Sequence, residues 1–164
     1  MNTSRFSADG ALDGMTIRSL RSDDREQIKT FFAMMGEAAA SFFNVNRGNE
    51  KRVMEFFENG KPDHSFYVLE ERGEVIALAF LWDLFSLIPK FGIAVRDDRQ
   101  GRGVGTFFLT GLLDRFRAEG YAGVLLTTAK TNYGAQRLYE KCGFERLGTA
   151  ENGEYCYVRR FEKP

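Results

Sequence analysis

Three glycines within five residues, Gly101, Gly103 and Gly105, lie at the start of a stretch whose apolar residues recur at helical spacing. The predicted helix therefore begins inside the glycine cluster. A helix N-terminus leaves about four backbone N–H groups without an intrahelical acceptor and carries a partial positive charge. Residues without a Cβ let an anion approach those donors closely. The stretch QGRGVGT, residues 100–106, therefore predicts a backbone site for a phosphate or diphosphate.

Two other phosphate-binding motifs do not fit this turn. The P-loop needs a lysine followed by serine or threonine after its glycines, and no such lysine follows Gly105. The dinucleotide fingerprint would begin at Gly101 and would need a glycine where Thr106 stands. It also follows its strand directly, whereas the segment RDDRQ separates this turn from the preceding apolar stretch. A nucleoside triphosphatase and a dinucleotide-binding enzyme are therefore both disfavoured.

Read as Gln-x-x-Gly-x-Gly, residues 100–105 resemble the acyl-CoA signature of the GNAT family of N-acetyltransferases. A strand ending in GIAV precedes the signature. Downstream, NYGAQRLYEKCGF, residues 132–144, resembles the second conserved stretch of that family, Asn-x-x-Ala-x-x-Leu-Tyr-x-x-x-Gly-Phe. The resemblance runs from about residue 91 to residue 144. It implies an acyl-CoA-dependent N-acetyltransferase that uses acetyl-CoA.

The resemblance also implies how the cofactor is held. Backbone amides of residues 101–106 hold the CoA pyrophosphate, and Gln100 shapes the turn. The backbone of Ile93 and Val95 pairs with the pantetheine arm as an added strand does, while Gly92 allows a local distortion. The implied cofactor-binding residues are Ile93, Val95, Gln100, Gly101, Arg102, Gly103, Val104, Gly105, Thr106 and Asn132.

Two assignments around the turn stay open. Arg102 and Arg99 could add positive charge to the site, but a solvated turn explains Arg99 equally well because Asp97 and Asp98 adjoin it. Asn132 stands just before a predicted helix, where an N-cap and a cofactor contact are equally good interpretations.

Transfer of an acetyl group to an amine requires a proton donor near the departing sulfur. The resemblance makes Tyr139 this general acid, although a core tyrosine is the competing interpretation. Cys142 is a nucleophile for a covalent route only in principle, because its place beside Gly143 on the apolar side of a helix is typical of a small packing residue. We therefore expect direct transfer in a ternary complex.

The general base is the point at which the chain departs from the family pattern. Many relatives carry a glutamate two residues before a glycine like Gly92, and this chain has Lys90 there. Asp83, Glu37 and His64 are the alternatives, each with an ordinary explanation as a turn or helix residue, and we include Asp83 in the predicted catalytic set. The missing glutamate also keeps a second hypothesis open, a GNAT-fold module that binds acyl-CoA without transferring the acyl group.

The acceptor is less defined than the cofactor. Phe42, Phe43, Trp82 and Phe85 could line an acceptor cleft or belong to the core. The resemblance is compatible with a small-molecule amine or a protein amine. The glycine turn would contact only the diphosphate, so the sequence does not determine the length of the acyl chain either.

The elements that must position these residues follow from the apolar periodicity. The predicted strands are residues 15–20, 65–71, 74–84, 90–95, 123–129, 144–150 and 154–161, and the predicted helices are residues 22–35, 49–61, 104–118 and 133–141. Residues 36–48 fit neither pattern. A meander followed by alternating helices and strands predicts an α/β (α+β) fold, a GNAT-like mixed central sheet of about six to seven strands with helices on both faces. We expect a flexible extension over residues 1–14 and a single domain over residues 15–164.

Charge and composition restrict the partners. The 23 basic and 23 acidic residues balance, so no global field would draw the protein to nucleic acid or to an anionic membrane. Two cysteines and one histidine without ligand spacing predict no metal site, reduced thiols and a cytoplasmic protein. No apolar run approaches the roughly 20 residues that span a bilayer. A homodimer stays open.

Overall fold

The computed structural model describes residues 14–43 and 48–162, apart from the side chain of residue 38. Its strands are β1 (Met15–Ser19), β2 (His64–Glu71), β3 (Glu74–Trp82), β4 (Lys90–Val95), β5 (Gly123–Thr128), β6 (Glu145–Thr149) and β7 (Tyr155–Arg160). Its α-helices are α1 (Arg25–Ala33), α2 (Glu37–Phe43), α3 (Asn49–Asn59), α4 (Val104–Ala118) and α5 (Tyr133–Lys141). All seven strands form one sheet in the order β1-β2-β3-β4-β5-β7-β6, in which β4 and β5 are parallel and the other neighbours antiparallel.

The predicted fold class is confirmed, including the meander of β2, β3 and β4 and the alternation that follows it. Helix α2 occupies part of residues 36–48, which fitted neither pattern; its seven residues are too few to establish a period. The extension predicted for residues 1–14 lies outside the described residues apart from Gly14. No helix in the described ranges is long and apolar enough to cross a membrane.

Helices cover both faces of the sheet. Side chains alternate along each strand, so β3 contributes Leu81 to one face and Phe80 to the other. We call the first the α4 face, because it packs against residues of α4 such as Phe108 and Phe116. We call the second the α1 face, because it packs against residues of α1 and α3 such as Phe31 and Val53, together with residues of α2. The sheet is therefore the central layer between two apolar cores.

A buried ion pair joins the start of α1 to the sheet. The carboxylate of Asp24, whose residue is 3% exposed, accepts two hydrogen bonds from the Arg18 guanidinium at 2.8 and 2.9 Å and one from the Arg21 backbone N–H at 2.7 Å. Arg18 also donates to Glu70 on β2 at 2.7 Å. Burial opposes ionisation of Asp24, but these donors outweigh it and hold its pKa below the ordinary value.

We expect Asp24→Ala to lower the free energy of unfolding by about 3 kcal/mol at pH 7, because it leaves Arg18 without its bidentate partner. An acid with a lowered folded-state pKa stabilises the fold above its unfolded pKa and loses that contribution as pH falls through the folded value. The difference between wild type and variant should therefore shrink below pH 4. Urea denaturation at pH 7 and pH 3 measures both effects. Asp23→Ala, at an exposed neighbour, is the control; an equal loss in both variants would contradict the prediction.

Candidate active site

The two parallel strands β4 and β5 separate after their first contact. Lys90 and Leu125 are the one pair that joins these strands in the described part of the chain. In contrast, β4 stays paired to β3 along all its six residues, and β5 stays paired to β7 along its full length. The sheet is therefore split between β4 and β5, and the split widens from Lys90 toward Val95.

The pairing phase of β4 decides which backbone groups face this gap. The Arg96 N–H donates to the Ile76 carbonyl at 3.0 Å, which places Lys90, Gly92 and Ala94 in the hydrogen-bonded positions toward β3. The N–H and C=O groups of Ile93 and the N–H of Val95 consequently point into the gap. This strip can accept an extended ligand as an added strand.

Gly92 serves a different purpose from the predicted one. Its pairing with Phe80 on β3 continues without a shift in register, so the expected local distortion is absent from this pair. A Cβ on Gly92 would lie 2.7 Å from the Phe80 ring, closer than packed carbon atoms approach. The glycine therefore makes room for an aromatic ring on the α1 face.

The glycine-rich turn lies at the wide end of the gap. Gly101 and Gly103 both have φ of +79°, and a Cβ on either would meet no atom of the described chain within 4 Å. The helical hydrogen bonds of α4 begin where the Phe107 N–H donates to the Gly103 carbonyl, so the N–H groups of residues 104–106 precede the ladder. Gly101 and Gly103 are exposed beside these donors and Gly105 and Thr106 are partly exposed, whereas Val104 is 1% exposed. The turn therefore has the geometry that an anion requires.

Side chains of the turn hold its shape. The Gln100 side-chain amide donates to the Val95 carbonyl at 3.0 Å and to Asp97 Oδ1 at 3.2 Å, which ties the turn to the end of β4. Arg99 donates to Glu71 at 2.9 Å, so its charge anchors the turn to the end of β2. Arg102 is exposed and does not line the cleft described next. The contacts of Arg99 therefore hold its guanidinium at acidic side chains.

A cleft of about 1200 Å³ includes the gap and brings together residues from both faces of the sheet. Its lining contains Ile93 and Val95 of β4, Asn132 and Tyr139 of α5, and, from the turn, Gln100, Gly101, Gly103, Gly105 and Thr106. Val104 is instead buried in the core on the α4 face. On the α1 face it is lined by Ala39, Phe42, Phe43, Asn49, Arg52, Phe80, Trp82 and Lys90. An opening through the sheet therefore gives two ligands access to one another from opposite sides.

Asn132 and Tyr139 each make a structural contact and also line the cleft. Asn132 Oδ1 accepts a hydrogen bond from the Ala135 N–H at 3.3 Å, so Asn132 caps α5 while its side chain borders the cleft. Tyr139 is 7% exposed and packs against Phe144 and Tyr157, with ring centroids 5.5 and 5.9 Å apart. Tyr139 is thus a core tyrosine that also reaches the cleft wall.

The three candidates for the general base lie elsewhere. Asp83 is exposed with φ of +60°, Glu37 is exposed in the first turn of α2, and neither lines the cleft. His64 stacks on Phe66 and Trp82, outside the cleft lining, and burial lowers its pKa despite Asp63 Oδ1 at 3.0 Å from Nδ1. The role of Asp83 stays a prediction that the geometry does not support.

The structure adds cleft residues that the sequence did not indicate. Arg52 on α3 belongs to no recognisable sequence motif. Its position in the cleft lining follows from the packing of α3 against the sheet. Arg137 and Lys141 line the cleft on α5 and are four residues apart, a spacing that puts them on one side of that helix and could have been noticed. Phe85 is fully exposed and does not line the cleft, contrary to the expectation for that residue.

The geometry of the site indicates a class of protein. A split in the sheet beside a donor-lined glycine turn suits a long ligand that carries a diphosphate, and the opening through the sheet suits a transferase. The family model of the acetyltransferase (GNAT) family matches residues 31–144. This chain belongs to that family of acetyltransferases, which confirms the predicted resemblance.

Known relatives agree with this membership. The chain is 28% identical over 157 residues to a mycothiol acetyltransferase from Rhodococcus opacus strain B4, covering 84% of this chain and 48% of that protein. It is 30% identical over 97 residues to the ribosomal protein bS18-alanine N-acetyltransferase of Escherichia coli K12, covering 59% of this chain and 66% of that protein. The matches thus span about half to two thirds of these relatives.

A solved structure with the same fold is the PaiA N-acetyltransferase of Thermoplasma acidophilum in complex with coenzyme A. It superposes with a TM-score of 0.72 at 14% identity, covering 90% of this chain and 99% of the other. At this identity the similarity establishes the fold.

Proposed function

We propose that this chain transfers an acetyl group from acetyl-CoA to an amine by direct attack in a ternary complex. One observation carries the proposal: a single cleft contains the glycine turn, the unpaired strip of β4 and Tyr139, in an order that a long thioester cofactor can follow. The cofactor supplies an activated acetyl group. Family membership and the names of the relatives support the same reaction class.

The residues present fit this cofactor. Gly101 and Gly103 leave open the space that a Cβ would fill, and the N–H groups of residues 104–106 can donate to a diphosphate there. Ile93 and Val95 can donate and accept backbone hydrogen bonds along the gap. Arg137 and Lys141 add positive charge to the cleft wall. These geometries support a binding role for the backbone groups of the turn and of β4. Arg102, which is exposed and outside the cleft lining, stays a predicted contact.

The chemistry needs two proton movements. A bond forms between the amine nitrogen and the acetyl carbon while the carbon–sulfur bond breaks, and Tyr139 gives its phenolic proton to the departing sulfur. The amine must lose a proton before or during the attack. Among the described residues that line the α1-face half of the cleft there is no carboxylate or imidazole. We propose that this proton leaves through water; Asp83, which does not line the cleft, stays a predicted acceptor without geometric support.

The test is release of free CoA. The protein is mixed with acetyl-CoA and a panel of small amines and peptides, free thiol is followed with a thiol reagent, and mass spectrometry identifies the acetylated product. We expect release that depends on a particular class of amine. Calorimetry showing CoA binding without release across the panel would instead favour a module that binds acyl-CoA without transfer. Mass spectrometry of ligand purified with the protein would show whether the acyl group is longer than acetyl.

A further inference from the structure

We propose that the acceptor is a small amine that carries an anionic group, a carboxylate or a phosphate, near its nitrogen. This inference rests on the proposed function and names the substrate class. It comes from two cations, Arg52 and Lys90, which we call the cationic wall, on the α1-face side of the cleft.

Arg52 is held in place before any acceptor binds. Its guanidinium carbon lies 4.8 Å from the centroid of Trp82 and 5.2 Å from that of Phe80. Its Nη1 lies 3.2 Å from Oδ1 of Asn49, a residue that is itself 4% exposed. A guanidinium stacked on two aromatic rings loses little further side-chain freedom when it binds an anion. Arg52 is therefore a preorganised anion-binding group.

Lys90 completes the wall from the neighbouring strand. Its Cα partner across β3 and β4 is Trp82, and side chains of directly opposite residues lie on the same face of a sheet. Trp82 therefore neighbours both Lys90, across the strand pair, and Arg52, which stacks on its ring. Lys90 is also where β4 still contacts β5, at the opposite end of β4 from the glycine turn. A cofactor whose diphosphate occupies the turn places its acyl end toward Lys90.

The charge balance of the cleft favours an anion at this end. The described residues that line the cleft include one carboxylate, Asp97, which accepts a hydrogen bond from Gln100 at the turn. On its α1-face side the described cleft lining thus contains two cationic side chains, Arg52 and Lys90, and no carboxylate. They favour a carboxylate or phosphate on the acceptor and disfavour a polyamine. They also disfavour the protonated form of the amine, because like charges repel. The neutral amine is the form that attacks, so this effect assists the reaction where the described lining supplies no base.

The experiment compares acceptors that share one amine and differ in a single neighbouring group: a carboxylate, the corresponding carboxamide, a phosphate ester, and a second amine. CoA release gives kcat/KM for each. We expect the carboxylate to exceed the carboxamide by about tenfold or more, as one charge-assisted pair provides. The phosphate arm identifies which anion the wall prefers. The diamine should be the poorest acceptor.

Variants connect this preference to the wall. In Arg52→Gln the ratio of kcat/KM for the carboxylate to that for the carboxamide should fall toward one, and in Arg52→Lys it should fall less. Lys90→Gln should lower the ratio by a smaller factor, because Lys90 is exposed and screened. Lys51→Gln, an exposed lysine beside Arg52 on α3, is the matched control and should leave the ratio unchanged.

The outcomes separate this inference from the proposed function. Equal kcat/KM for the carboxylate and the carboxamide, or faster turnover of the diamine, would overturn the inference and leave the acetyltransferase in place. A preference for the carboxylate that survives Arg52→Gln and Lys90→Gln would also overturn it. No release with any amine would overturn the proposed function, and this inference with it.

Discussion

Replacing Tyr139 with phenylalanine is expected to lower kcat by about 100- to 1,000-fold while CoA affinity stays within about twofold of wild type. The hydroxyl is the one group removed, and a proton donor at the departing sulfur contributes a factor of this size. The ring itself is retained, so its packing against Phe144 and Tyr157 is preserved. Steady-state kinetics measures the loss, and calorimetry with CoA measures the binding.

Tyr133→Phe is the matched control for this experiment. Tyr133 lies on the same helix and also lines the cleft, but it stands at the first turn of α5 and is 62% exposed. We expect its variant to keep kcat within about threefold of wild type, as for an exposed residue outside the reaction. A Tyr139→Phe variant with full turnover would show that another group protonates the sulfur. Equal losses in both variants would point to a general disturbance of α5.

The two stretches that carry the chemistry were predictable because their signals are local. The turn at residues 100–106 combines glycines, which permit φ of +79°, with a helix start, and both features are encoded within a few residues. The second stretch, residues 132–144, contains its own N-cap and apolar period. Neither depends on knowing which strand pairs with which. Local periodicity likewise predicted the strands of the meander.

The split in the sheet and the cationic wall could not be predicted in the same way. Whether β4 and β5 separate after Lys90 depends on how each strand is held by its other neighbour, which no period within β4 records. Arg52 reaches the cleft only because α3 packs on the sheet so that Arg52 lies over Trp82. Gly92 was assigned to a distortion because the sequence does not show that Phe80 would lie against it. These features come from tertiary packing.

Gly103→Ala provides the second large expected effect, a fall in CoA affinity of about 10- to 100-fold. Gly103 is the N-cap of α4 in the left-handed region, and a side chain there carries a conformational cost of about 1–2 kcal/mol. A methyl group would also occupy the open space beside Gly103, at the start of α4. Loss of one charge-assisted hydrogen bond to a diphosphate corresponds to the expected factor. Calorimetry with CoA measures the affinity, and urea denaturation measures the stability.

The variant Gly60→Ala distinguishes backbone strain from a lost diphosphate contact as the cause of weaker CoA binding. Gly60 ends α3 with φ of +71°, and a Cβ there would also meet no described atom within 4 Å, but Gly60 does not line the cleft. Gly60 has ψ of 168°, in a region restricted essentially to glycine, whereas Gly103 has ψ of 4°. Gly60→Ala should therefore lose at least as much free energy of unfolding as Gly103→Ala, and only Gly103→Ala should lose CoA affinity. If Gly60→Ala weakened CoA binding as much, backbone strain alone would explain the effect. If Gly103→Ala bound CoA as wild type does, the diphosphate would have to be held away from the start of α4.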